Sequence, residues 1–107
     1  MENKKGVLKM NKIVNHTESH IKGDNIMVPN KDILNPDLDL EELGTFLTLF
    51  AFIDEGYFTD GELFNCFKDP KEQVKKVFDR LIVKGYLEII EHEGVTEYHI
   101  YGKDTVN

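Results

Sequence analysis

The stretch DPKEQVKKVFDRLIVKGYLEIIEHEGVTEYHIY, Asp69 to Tyr101, decides how this chain is read. It opens with the clearest helix start in the sequence. Asp69 can cap, Pro70 stands where its missing N–H costs nothing, and Glu72 lies in the first turn beside the positive helix end. Val74, Val77, Phe78, Leu81 and Ile82 recur at i, i+3, i+4, i+7 and i+8, while Lys71, Lys75, Lys76, Asp79 and Arg80 occupy the opposite face. Gly85 supplies a left-handed stop after Lys84, so a helix is expected over 70–84. Two β-rich runs follow, Tyr86 to His92 and Val95 to Tyr101, with Glu93-Gly94 between them as a tight turn. Such a turn sets Leu87 opposite Ile100 and Ile89 opposite Tyr98, giving the hairpin one apolar side for the helices.

Two further helix starts precede this stretch. Thr59 with Glu62 forms a capping box, in which each side chain satisfies the other's orphan backbone N–H, and a short helix through Leu63, Phe64 and Phe67 follows it. Asp39 with Glu42 is a second box. Behind it Leu40, Leu43, Phe46, Leu47, Phe50 and Phe52-Ile53 recur at helical spacing up to Gly56, and the phenylalanines are expected to supply most of the aromatic core. Before Pro36 the chain reads as extended with at most one helical turn, since Pro29 and Pro36 stand close together. Residues 1–25 lack aromatics and show no period, the composition of a mobile N-terminal arm. The expected division is therefore an arm over 1–25, a domain over 26–102 and a tail over 103–107.

Three helices, the third with a cationic face, and a hairpin directly after them resemble a winged helix-turn-helix domain over residues 38–102. The fold expectation is accordingly a mainly α domain with a small β-hairpin and a flexible arm. In finer detail, Val28-Pro29-Asn30, Leu38 to Leu40, Glu62-Leu63, Phe67-Lys68-Asp69, Val74, Leu81 and Gly85-Tyr86-Leu87 are similar to the N-terminal winged-helix domain of phage and plasmid replication initiators of the replisome-organiser, DnaD-like kind. That resemblance implies binding of double-stranded DNA by the third helix and the wing, often as a homodimer, in transcription regulation or replication initiation. With helix 70–84 in the major groove, the expected contacts are Lys68, Lys71, Gln73, Lys75, Lys76 and Arg80, with Gln73 and Arg80 at base edges and lysines at phosphates. Lys4, Lys5, Lys9 and Lys12 would add arm contacts.

Charge favours a rival reading. The formal net charge is −7, and residues 32–67 hold nine acids with no lysine or arginine. The wing itself carries Glu88, Glu91, Glu93 and Glu97, which oppose an approach to phosphate. The alternative is an acidic module that binds a basic protein through Asp39, Glu41, Glu42 and Glu62 and touches no DNA, as an inhibitor or adaptor of a DNA-handling protein.

Other functions find little support. No apolar stretch approaches the roughly 20 residues of a membrane span, and no secretory pattern opens the chain, so a soluble, cytoplasmic protein without membrane contact is expected. The single Cys66, with apolar neighbours on a short helix, reads as a buried inert thiol. His16 and His20 share a helical spacing but no third ligand, so no metal is expected. His99 is read as pairing across the hairpin with Glu88. No phosphate loop, nucleophile elbow or metalloprotease motif is present, and neither catalysis nor a cofactor is expected.

Overall fold

The structure, a computed structural model, describes residues 9–106. The chain runs β1 (Met10–Asn15), β2 (His20–Lys22), β3 (Asn25–Met27), α1 (Asn30–Ile33), α2 (Leu40–Phe50), α3 (Asp60–Phe64), α4 (Lys71–Lys84), β4 (Leu87–His92) and β5 (Val95–Ile100). About 35% of it is helix and 26% strand, so the domain is α/β and the mainly α expectation is corrected. The difference arises at the N-terminus. Residues 10–15, read as part of a mobile arm, form β1, which pairs in parallel with β5 from Met10↔Val95 to Asn15↔Ile100. Strand order in this mixed sheet is β1-β5-β4, and β2 and β3 make a separate antiparallel pair. Lys4 and Lys5 lie outside the described residues.

A polar strand takes this place because its partners satisfy it. Asn11 and Ile13 are buried on the helix side of the sheet. The Asn11 backbone exchanges two hydrogen bonds with Phe58, of 2.7 and 2.9 Å, and its side-chain amide donates to Asp60 at 2.8 Å. The buried amide is thus fully engaged and costs no unmet hydrogen bond.

The remaining elements follow their sequence signals more closely. Both capping boxes form. Helix α4 starts one residue later than expected, because Pro70 itself takes the N-cap position and no side chain, Asp69 included, caps the helix; it stops at Gly85 with φ 88°. The hairpin turn is Glu93-Gly94, with φ 52° and 83°, the positive pair that matches strand twist. Leu87 faces Ile100 and Ile89 faces Tyr98. Helix α2 ends earlier than its apolar pattern, at Phe50, and the chain reaches Gly56 through i→i−3 turns, Phe52 to Leu49 and Ile53 to Phe50 among them. Phe46, Leu49, Phe50, Phe58, Leu63, Phe78, Leu81 and Ile100 form the centre of one core between helices and sheet.

The C-terminal residues are tied down as well. Asp32 on α1 is buried and its carboxylate accepts the Lys103 N–H at 2.7 Å. Gly102 permits this approach, because a Cβ there would stand 2.9 and 3.0 Å from the two Asp32 oxygens. Lys31 pairs with Asp104 at 2.6 Å. No helix among the described residues is long and apolar enough to cross a membrane.

Candidate functional site

Helices α2 and α4 lie side by side, and their seam holds several of the residues that the sequence singles out. Arg80 donates from Nε to Glu42 at 3.0 Å and from its terminal nitrogen to Glu41 at 2.7 Å. Lys84 donates to Glu42 at 2.7 Å and to the Asp37 carbonyl at 2.6 Å. Gln73 donates to Glu41 at 3.3 Å. Glu42 is only 2% exposed. Burial pushes its carboxyl up, but hydrogen bonds from Lys84, the Asp39 backbone and Arg80 outweigh this and hold it below its ordinary 4.5. Arg80 is correspondingly raised, by its hydrogen bond to Glu41 first and to Glu42 second.

The expected DNA-reading set is therefore divided. Gln73 and Arg80, the two base readers, point into the seam and are engaged with α2. Lys71 lies 3.9 Å from Asp60 and 5.3 Å from the centre of the Phe64 ring. Lys68, Lys75 and Lys76 are exposed. The expected acidic set is divided too. Asp39 and Glu42 cap α2 while Glu42 also anchors α4, Glu62 caps α3 with Thr59, and Glu41 is the member at the exposed edge of the seam.

At the end of this seam, where the start of α2 meets the end of α4, three large aliphatic side chains face outward. Leu40 is 89% exposed, Val83 86% and Leu34 75%. Lys84, next to Val83, reaches Asp37, and Tyr86 is bonded by Asn35 at 2.7 Å, so their three segments are fastened at one corner. Beside Val83, a shallow recess of about 330 Å³ is lined by Asp79, Arg80, Val83 and Lys84. Leu40 was expected in the core and is the one large residue of its helix pattern that turns fully away. The sequence holds a sign of this at Val83, which lies in line with Asp79 and Lys76, but not at Leu40, whose i+3 and i+7 neighbours are Leu43 and Leu47.

A second concavity, of about 340 Å³, opens between α4, the start of α3 and the sheet. Asn11, Thr96, Tyr98 and Phe78 line it, with Lys75, Asp79 and Asp60 among its charged residues. Burial, with the Asp60 charge nearby, pushes the Tyr98 phenol up to about 12.

Several single-residue expectations change. Cys66 is exposed, not buried, because α3 ends at Phe64 and leaves it on a turn; its thiol donates to the Glu62 carbonyl at 3.4 Å. His16 and His20 do not share a helix, since His16 follows the end of β1 and His20 opens β2. Glu88 stands opposite His99 in register, yet His99 Nε2 bonds Glu97 at 2.9 Å while Glu88 accepts from the Tyr101 hydroxyl at 3.1 Å. Among the described residues no three His, Cys, Asp or Glu side chains are grouped to hold a metal ion. Comparison with protein-family models, curated proteins and solved structures gave no match.

Proposed function

We propose that this chain is an acidic protein-binding module of the cytoplasm, which docks a basic partner on the corner formed by Leu34, Leu40 and Val83. The observation that carries the reading is the outward display of three aliphatic side chains at one end of the α2–α4 seam. Single exposed leucines are ordinary, but a group at one corner is the kind of apolar patch that partners cover. Asp37, Asp39, Glu41 and Asp79 each lie within four residues of one of these side chains, in a chain whose residues 32–67 carry nine acids and no base. The fitting partner segment has an apolar anchor flanked by lysine or arginine, since opposite charge steers association and fixes register. A groove-reading role for α4 has less support, because Gln73 and Arg80 would have to leave Glu41 and Glu42 before meeting a base.

The test is a photo-cross-linking residue placed at Val83 in the full chain, with the linked peptide sequenced. A lysine- or arginine-rich peptide with an apolar anchor, lost on Leu40→Asp, is the expected result. Cross-links mainly to a second copy of the chain overturn the reading. So does salt-dependent binding to random duplex DNA that disappears on Lys75→Glu with Lys76→Glu.

A further inference from the structure

On the sheet face turned away from the helices, Lys12, Val14, Glu88, Ile90, His92, Glu97, His99 and Tyr101 are all at least partly exposed. His16, just beyond β1, joins them. Its Nε2 lies 2.9 Å from Nδ1 of His99, and His99 Nε2 lies 2.9 Å from the Glu97 carboxylate. A carboxylate only accepts, so in its neutral form His99 carries its proton on Nε2 and turns an Nδ1 lone pair toward His16. One proton, on His16 Nε2, then fills the space between the two rings.

We propose that His16 and His99 form a two-imidazole site for a borderline divalent transition-metal ion, for which Zn²⁺ is the probe. Three features make the pair more than a chance contact. A carboxylate behind a histidine is the usual outer partner of a metal-bound imidazole, fixing its tautomer and raising its basicity. Glu97 and His99 lie two apart on β5 and so share one sheet face, which keeps the carboxylate beside the ring. His16 is fixed from the other side by stacking on Tyr101, at 4.5 Å between centroids and 3° between planes, and Tyr101 is held by Glu88.

Two Zn–N bonds of roughly 2.0–2.1 Å at a tetrahedral angle need nitrogens roughly 3.3 Å apart, so the rings, which meet nitrogen to nitrogen at 2.9 Å with centroids 5.1 Å apart, must separate by less than about 0.5 Å and tilt until both lone pairs converge on the ion. His16 frees Nε2 by moving its proton to Nδ1, so neutral imidazoles bind the ion without net proton loss. The protein supplies two ligands and water the others. His16 is exposed, which leaves the ion a direct path.

The experiment is calorimetric titration of the untagged chain with Zn²⁺. One ion per chain is expected, with binding weakened at least tenfold by His16→Gln or His99→Gln, several-fold by Glu97→Gln, and unchanged by His20→Gln or His92→Gln. Ring-proton NMR of the unaltered protein gives a readout free of any folding defect, and His16 and His99 should shift together on substoichiometric Zn²⁺. Equal affinity in the His16 and His99 variants, ring shifts led by His20 or His92, or no binding at millimolar Zn²⁺ each overturns the proposal.

Discussion

Helices α2 and α3 begin with the same device and put it to different use. In Asp39-Leu40-Glu41-Glu42 the Asp39 side chain accepts from the Glu42 N–H at 2.8 Å, and the Glu42 carboxylate accepts from the Asp39 N–H at 3.0 Å. In Thr59-Asp60-Gly61-Glu62 the corresponding distances are 3.1 and 2.8 Å. The Glu62 carboxylate stays exposed and finds only Thr59 nearby, whereas Glu42 is buried beneath Arg80 and Lys84. Four consecutive residues set a capping box. Its weight in the fold is set by what the rest of the chain lays over it.

The comparison breaks most visibly at the two glutamates. Glu42→Ala should destabilise the protein by about 3 kcal/mol, because it leaves the Asp39 N–H unpaired and removes the one buried carboxylate that Arg80 and Lys84 share. Glu62→Ala should cost about 1 kcal/mol, the ordinary worth of a cap. Urea unfolding of the two variants checks this, and equal losses would dissolve the distinction. Acid offers a second way to sharpen it. Glu42 has a lowered pKa in the fold, so its stabilisation is complete above the unfolded carboxyl value and is lost as pH falls through the folded one. Unfolding midpoints of the unaltered chain should therefore drop below about pH 4.5, and Glu42→Gln should start lower and fall less across that window.

Smaller effects apportion the knot. Arg80→Met and Lys84→Met should each cost about 1 kcal/mol, since both cations are partly solvated. In a Glu42→Ala background both costs should shrink toward zero, which a double-mutant cycle measures. The smallest contrast lies at the cap residues themselves. Asp39→Ala and Thr59→Ala should each lose about 1 kcal/mol, with little difference between them, because the cap hydrogen bond is the same in both.

What could be read in the sequence is what neighbours decide. Both boxes, the Gly85 stop of α4, and the hairpin register through Glu93-Gly94 depend on residues within a few positions of one another, and all took their expected form. β1 did not, because Met10-Asn11-Lys12-Ile13 puts an asparagine on the core side and its partner strand lies at the far end of the chain. The binding sets split for a similar reason. A helical wheel shows Gln73 and Arg80 on the polar side of α4, but only the crossing with α2 reveals that this side meets Glu41 and Glu42. The histidine pair needed the β1–β5 register, joining residues 83 positions apart.

The parallel pairing of the first strand with the last has a consequence for how the protein comes into being on a ribosome. β1 emerges well before its partner, the central strand of the sheet. Until β5 leaves the exit tunnel, β1 has no neighbour with which to complete its ladder, and closing so long a loop is the slow kind of step in folding. The helices can collect around their phenylalanines meanwhile. The sheet, and with it the meeting of His16 with His99, is assembled only once β5 has been made, so a nascent chain stalled before Val95 would hold β1 by its bridge to Phe58 alone.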